Sequence, residues 1–353
     1  MVCSSARLAS GRVMHSSVVA LSAATVGVST LGVAAAPNCS CNALADVFSK
    51  HVFVHVVSSS LSHGLFPSFF MHYQSLGVQL AHFHVVLHMT GTAADETAAA
   101  SIARLGARAT NISTHFNRIV RNGIVNRWVK SLDETAWIIN ADMDEHYTFP
   151  CELTCRLMQG RASDLQHDGL ATRLWALLRG SGPKQALCGS MLECVSPDFQ
   201  LHQEPRSSIE MRRTFSLCAR IRATLNRGWV TKVILVPASI RPQWDSAHGA
   251  DSQRGFVGYN GWWVSNCIDV GDFRHYSYSA SAVEMLRLKQ KQGAWYDKFY
   301  TKELDSLDLT AEPVRFTEQM SVAIRGVAAP CPGEPETAAH ATGRLSDWLL
   351  QES

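Results

Sequence analysis

The stretch Trp137-Ile138-Ile139-Asn140-Ala141-Asp142-Met143-Asp144-Glu145, closed by Phe149-Pro150, decides how the rest of the chain is read. Its apolar run has the length and the Ile and Trp content of a buried strand. The run stops at Asp142, Asp144 and Glu145, three carboxylates within four positions. Alternation places Asp142 and Asp144 on one side if the extended geometry continues through them. Like charges held that close call for a cation. Oxygen donors, alone or with an imidazole, suit a hard divalent ion such as Mg²⁺ or Mn²⁺. Open α/β sheets bind ligands at the carboxyl ends of their strands, which is where these acids fall. The plain alternative for an isolated Asp-x-Asp is a solvated acidic turn.

The segments upstream support a sheet. Val52 to Val57 reads as a buried strand ended by Ser58-Ser59-Ser60. Leu65, Phe69, Tyr73 and Leu76 recur at helical spacing, and Gly77 supplies a C-terminal stop. A second strand spans His82 to His88, and a helix with Asp95 and Glu96 in its first turn runs to Gly106. Residues 118–130 read as a helix with a basic side. This alternation predicts an α/β fold with a mostly parallel central sheet flanked by helices. Beyond Pro150 the pattern is less regular: Trp229 to Val236 is the next strand, Gln243 to Gly258 is loop-like, and Ala282 to Lys291 is a basic helix.

At 353 residues the chain can bury a large core. With 32 basic and 30 acidic residues it has no charge signature of a nucleic-acid binder. Ten cysteines include no C-x-x-C pair, which argues against a structural zinc site; Cys151 and Cys155 are candidates to pair if oxidised. Residues 1–48 form an N-terminal leader, in which Arg7 and Arg12 precede an apolar, small-residue stretch ending at Ala34-Ala35-Ala36-Pro37. A signal peptide, a weak membrane anchor and an organelle-targeting segment all fit it. With sequons at Asn38 and Asn111, the leader favours the secretory pathway over a cytoplasmic or organellar location. Residues 49–300 form the main domain, and 301–353, with Pro313, Pro330, Pro332 and Pro335, read as a poorly packed tail.

Four separated segments resemble one family. Leu65-Phe66-Pro67-Ser68-Phe69-Phe70-Met71-His72-Tyr73 with Leu76-Gly77-Val78 is similar to its opening helix, and Trp137 to Pro150 to its metal-site strand. Lys232-Val233-Ile234-Leu235 followed by His248 is similar to a later strand and its histidine, and Phe273-Arg274-His275-Tyr276 with Lys289 to its closing segment. The chain thus resembles the GT-A fold glycosyltransferases, in the group that includes the family 2-like and family 92-like enzymes. The resemblance spans roughly residues 50–300 in the family's order. It departs at Glu193-Cys194, before Pro197-Asp198, where related sequences often carry an Asp-Arg pair.

The resemblance implies transfer of a sugar from a nucleotide-sugar donor to a hydroxyl on a glycan, lipid or protein, with Mn²⁺ or Mg²⁺ at the Asp-x-Asp motif. It implies a secretory, Golgi-membrane setting, with membrane association through the leader. Asp144 is the expected direct metal ligand. Asp142 is expected to contact the metal or the ribose, and Glu145 to orient the site. His248 and His275 are each candidates for a further ligand. Glu193, Asp198 and Asp245 are candidates for the base that takes the acceptor proton, with Glu193 at the family's acidic position and Asp245 beside it in the expected catalytic set. Ser58 and Asp95, at strand ends, and Arg274, Arg287 and Lys289 are candidates for nucleotide and phosphate contacts. His82-x-His84 reads first as a pair of core or edge histidines and second as a metal pair. Two other functions stay open: a non-catalytic carbohydrate-binding relative of the family, and a metal-dependent phosphate-ester hydrolase.

Overall fold

The computed structural model describes residues 41–112, 118–151, 154, 186–221, 231–244, 249–251, 257–260, 263–265, 267–291 and 294–331. In chain order, the first part runs α1 (Cys41–His51), β1 (Val52–Ser59), α2 (Phe66–Ser75), β2 (Phe83–His88), α3 (Ala94–Arg104), β3 (Arg108–Ile112), α4 (Arg118–Lys130), β4 (Trp137–Asp142) and β5 (Glu145–His146). The second part runs β6 (Ala186–Val195), α5 (Ser208–Thr214), β7 (Leu217–Ala219), β8 (Thr231–Pro237), β9 (Gln243–Trp244), β10 (Gly249–Asp251), β11 (Val257–Asn260), β12 (Trp263–Ser265) and β13 (Cys267–His275). It closes with α6 (Ala282–Gln290), α7 (Ala294–Asp305), β14 (Leu307–Asp308), β15 (Arg315–Phe316), α8 (Glu318–Arg325) and β16 (Ala329–Pro330).

The architecture is α/β, built on a ten-stranded mixed sheet flanked by helices, with the order β16-β7-β6-β8-β4-β1-β2-β3 and with β13 joined to β6 and β5. Parallel pairing holds among β4, β1, β2 and β3, the half whose strand–helix alternation is plain in the sequence. Beyond β4 the pairing changes character. β8 is antiparallel to β4, β6 is antiparallel to β8, and β7 is antiparallel to β6. Two reversals return β6 to the direction of β4, and β13 runs parallel to β6. The carboxyl ends of β1, β2, β4, β6 and β13 therefore share one edge of the sheet.

Alternation along β4 sends Ile139 and Ala141 to one face and Ile138 to the other, and both faces are covered, so the strand reads as a continuous apolar run. Leu44 and Phe48 of α1, Phe69, Phe70 and Tyr73 of α2, and Ala98 and Ile102 of α3 cover the first face. Val125 and Val129 of α4 pack on the second, with Val233 and Val236. The close fit of α1 against the end of α2 depends on Gly77. Its φ is +104°, and a Cβ there would lie 2.5 Å from the Ala45 carbonyl oxygen.

Both ends of the main domain differ from the expected boundaries. Residues 41–48 belong to α1 and contribute to the core, and Cys41 is bonded to Cys151. Cys151 therefore has a partner 110 residues away rather than Cys155, which lies outside the described residues, as do residues 1–40. Residues 301–331 are packed: Leu304, Leu307, Phe316, Met320 and Ile324 join Val195, Phe199, Leu201 and Tyr278 in a third apolar cluster. Four prolines in the sequence hide this, because α8 is short and is started by the Thr317 hydroxyl accepting from the Met320 N–H. The expected loop from 243 to 258 contributes β9, β10 and the start of β11 to a separate four-stranded sheet. Among the described residues, no helix is long and apolar enough to cross a membrane.

Candidate functional site

The acidic motif bends where the sequence suggested continued strand. β4 ends at Asp142, Met143 turns inward with its N–H donating to the Val57 carbonyl (3.3 Å), and Glu145 starts β5. Met143 is buried, and the chain turns between the end of β4 at Asp142 and the start of β5 at Glu145. Asp142 and Asp144 therefore face different partners. Asp142 is 42% exposed and accepts from Lys232 Nζ at 2.9 Å. Asp144 is 18% exposed and lies 3.1 Å from His275 Nε2, while its carbonyl accepts from the Tyr276 N–H (2.8 Å).

Glu145 is wholly buried and anchors the motif from below. Its carboxylate takes Lys232 Nζ at 2.7 and 2.8 Å, the Asp142 N–H at 2.8 Å and the Tyr147 hydroxyl at 2.7 Å. The Tyr147 hydroxyl also contacts the Asn140 carbonyl, and Tyr73 donates to the Glu145 carbonyl. Behind this layer His72 and His146 stack, with ring centroids 4.5 Å apart. Burial disfavours charge on every member, and the outcome depends on the neighbours. Asp142 is pushed up by burial but pulled further down by Lys232, so it stays below the ordinary aspartate range. Lys232 is pushed down by burial and raised further by Asp142 and Glu145, so it stays charged. Glu145 shares that one ammonium with Asp142, and burial leaves it raised.

Lys232 is the functional residue that sequence reading missed. It stood inside a quoted strand, but nothing along the chain marks which β8 residue faces the end of β4. The signal available was the requirement for a cation near three carboxylates, and the protein supplies part of that charge from its own side chain. Lys232 is shared by Asp142 and Glu145, Arg121 also lowers Asp142, and Asp142 and Asp144 are the more exposed of the three carboxylates.

The other expected residues fall in several places. His275 closes on Asp144 and sits in register beside Glu145 of β5 and Glu193 of β6. Glu193 is fully buried within β6, close behind the motif rather than open to solvent. Asp198, on the loop leaving β6, is more exposed and pairs with His202 Nε2 at 2.9 Å. Ser58 is buried at the end of β1, and its hydroxyl donates to the Ser59 carbonyl (3.0 Å). Asp95 is occupied with its own loop, accepting from the Thr90 and Gly91 N–H groups at 2.8 and 2.7 Å. Burial pushes Asp95 up, but hydrogen bonds from Ser60, Thr90 and Gly91 outweigh it and hold the carboxyl down at about 2. Arg274 is buried on β13, in register with His146. Lys289, on α6, stands 5.8 Å over the Tyr300 ring, while Arg287 of the same helix is exposed. Asp245 and His248 lie outside the described residues. His82 donates from Nδ1 to the Val52 carbonyl (3.0 Å) and stacks on Phe53, whereas His84 meets His55, Nδ1 to Nδ1, at 3.3 Å beneath Trp128. The two histidines of His82-x-His84 are thus engaged separately.

A scan against models of known protein families finds no match for this chain, and a search of curated proteins finds no similar sequence.

Proposed function

We propose that this chain is a glycosyltransferase of the GT-A type, moving a sugar from a nucleotide-sugar donor to a hydroxyl acceptor with a divalent ion at Asp144. The observation that carries this reading is the placement of Asp142, Asp144 and His275 together where β4 ends, on the edge shared by β1, β2, β6 and β13. Carboxylate and imidazole donors suit Mn²⁺ or Mg²⁺. Asp144 Oδ2 and His275 Nε2, 3.1 Å apart, are the side-chain atoms that would hold such an ion. Among the described residues, Asp142, Asp144 and His275 do not converge as a three-ligand cage. Remaining positions would fall to water and diphosphate oxygens, the usual arrangement for Mg²⁺.

When bound, the ion stabilises negative charge on a departing diphosphate. The protein's own residues do the rest. Lys232 and Glu145 fix Asp142, and the Tyr276 N–H holds the Asp144 backbone, so both carboxylates are pre-set at the strand ends. Asp198, oriented by Ser196, Gln200 and His202, is better placed than buried Glu193 to receive a proton from an incoming acceptor, because it is partly exposed. A glycan, lipid or protein acceptor and a Golgi-membrane setting remain part of this proposal. The non-catalytic carbohydrate-binding reading gains from Lys232, whose ammonium already neutralises part of the acidic cluster without any metal.

The deciding experiment is a thermal-shift panel of nucleoside diphosphates and nucleotide sugars, with and without Mn²⁺. A nucleotide at 100 times its Kd stabilises the fold by about 2.7 kcal/mol. A shift that requires both nucleotide and Mn²⁺ is expected. No Mn²⁺-dependent shift with any nucleotide would overturn the metal-site reading, and a nucleotide-sugar shift that is the same without Mn²⁺ would favour the binding protein.

A further inference from the structure

A second cluster lies on the far side of β6 from the acidic motif in sequence, at the residue after Glu193. Cys218 of β7 is bonded to Cys331, just past β16, with Cα atoms 5.1 Å apart. The free, buried Cys194 of β6 places its Sγ 2.6 Å from Cys218 Sγ and 3.7 Å from Cys331 Sγ. Cys194 and Cys218 are also direct register partners across the antiparallel β6–β7 pair. Opposed residues in such a pair have Cα atoms about 4.5–5.5 Å apart, within the ~4.4–6.8 Å that a disulfide accepts. Cys218 thus has two partners in bonding reach, and the chain can join it to only one at a time.

We propose that Cys194, Cys218 and Cys331 form an internal thiol–disulfide exchange site in which Cys218 alternates between Cys331 and Cys194. The Cys194 thiolate attacks Cys218 Sγ, the Cys194–Cys218 bond forms, and the Cys218–Cys331 bond breaks. Cys331 leaves with the electron pair as a thiolate and takes up the proton that Cys194 released. Neither direction changes the oxidation state of the set, so no oxidant or reductant is consumed. The exchange moves a covalent tie. In one state it fastens the segment after β16 to β7, where the Cys331 N–H also donates to the Ser216 carbonyl at 3.0 Å. In the other it staples β6 to β7 and leaves the C-terminal segment held by hydrogen bonds and packing alone.

The charged and titratable groups around Cys194 set the pace. Burial is the main influence and pushes its thiol up to about 12, reinforced by Glu193 on the same strand and opposed by Arg274 and a backbone hydrogen bond at His275 on β13. Tyr276, just after β13, also lies near the sulfur, and its hydroxyl is raised by burial and then by Cys194. The attacking species is the thiolate.

The test uses the full chain, purified without reductant, incubated at pH 7 to 10, quenched in acid, then alkylated under denaturing, non-reducing conditions and mapped by peptide mass spectrometry. A Cys218–Cys331 peptide accompanied by label on Cys194 and a Cys194–Cys218 peptide accompanied by label on Cys331 should both be recovered. Label confined to Cys194 throughout would overturn the proposal. In Cys331→Ser treated with the mild thiol oxidant diamide, Cys194 and Cys218 should be bonded to each other and escape alkylation; labelling of both would also overturn it. In Cys194→Ser, Cys331 should stay unlabelled throughout, and its labelling there would show a route other than the proposed one.

Discussion

Lys232 Nζ lies 2.7 Å from Glu145 Oε1, with 1% of one side chain and none of the other exposed, and the same ammonium reaches the more open Asp142. This buried cation joins β8 to the end of β4 and holds the acidic motif in its bent form. Removing one partner of a buried pair leaves an uncompensated charge and costs about 3–5 kcal/mol. Lys232→Met should lower the unfolding free energy by about that amount in urea titrations. A loss within about 1 kcal/mol would show that Asp142 and Glu145 do not depend on it.

Asp144 meets His275, whereas Lys232 is paired with Asp142 and Glu145. Asp144→Asn keeps a side-chain acceptor for His275 and should cost about 1–3 kcal/mol, while abolishing the Mn²⁺-dependent part of any nucleotide-induced thermal shift. A retained metal-dependent shift in that variant would move the metal away from Asp144.

Buried His84 predicts an acid-sensitive fold. Burial first, and then Arg108, lowers its pKa to about 4. Neighbouring His55 is also held well below the ordinary range, by burial and then by His84 and Arg121, with Asp142 opposing. An unfolded histidine titrates near ~6.5, so between pH ~6.5 and about 4 the unfolded chain binds a proton that the folded chain refuses. Stability then falls as pH drops through that window, by roughly 2–3 kcal/mol for His84. His84→Gln should flatten the pH dependence of Tm there; an unaltered slope would assign the acid sensitivity elsewhere.

Gly77→Ala tests the packing of α1 on α2. The substitution puts a Cβ 2.5 Å from the Ala45 carbonyl oxygen on a backbone with φ of +104°. It should cost about 1–3 kcal/mol in chemical unfolding. Gly91 has φ of +76° but open space around it, so the same change there should cost less.

The Cys41–Cys151 bond closes a span of 110 residues and ties α1 to the end of the motif segment. Cys41→Ser should destabilise the chain by about 2–5 kcal/mol relative to the oxidised parent. The difference should vanish when both proteins are unfolded under reducing conditions.

What the sequence determined by itself is the local order of the first half. Continuous apolar runs at β1, β2 and β4, with helical spacing between them, are properties of neighbouring residues, and they were legible as a parallel sheet ending in acids. Asp142 and Asp144 stood out as a carboxylate pair by residue type and spacing, whereas His275 entered only through the family resemblance, unranked against His248. Tertiary structure decided the rest. The antiparallel half depends on which of several apolar runs pairs with which, and β6, buried along nearly its whole length, lacks the alternation that would announce it. The partition of the acidic motif was also decided at a distance. Met143 turning inward, Lys232 arriving from β8 and His275 arriving from β13 gave each carboxylate its own partner, because charge pairing inside a fold depends on separation in space and not along the chain.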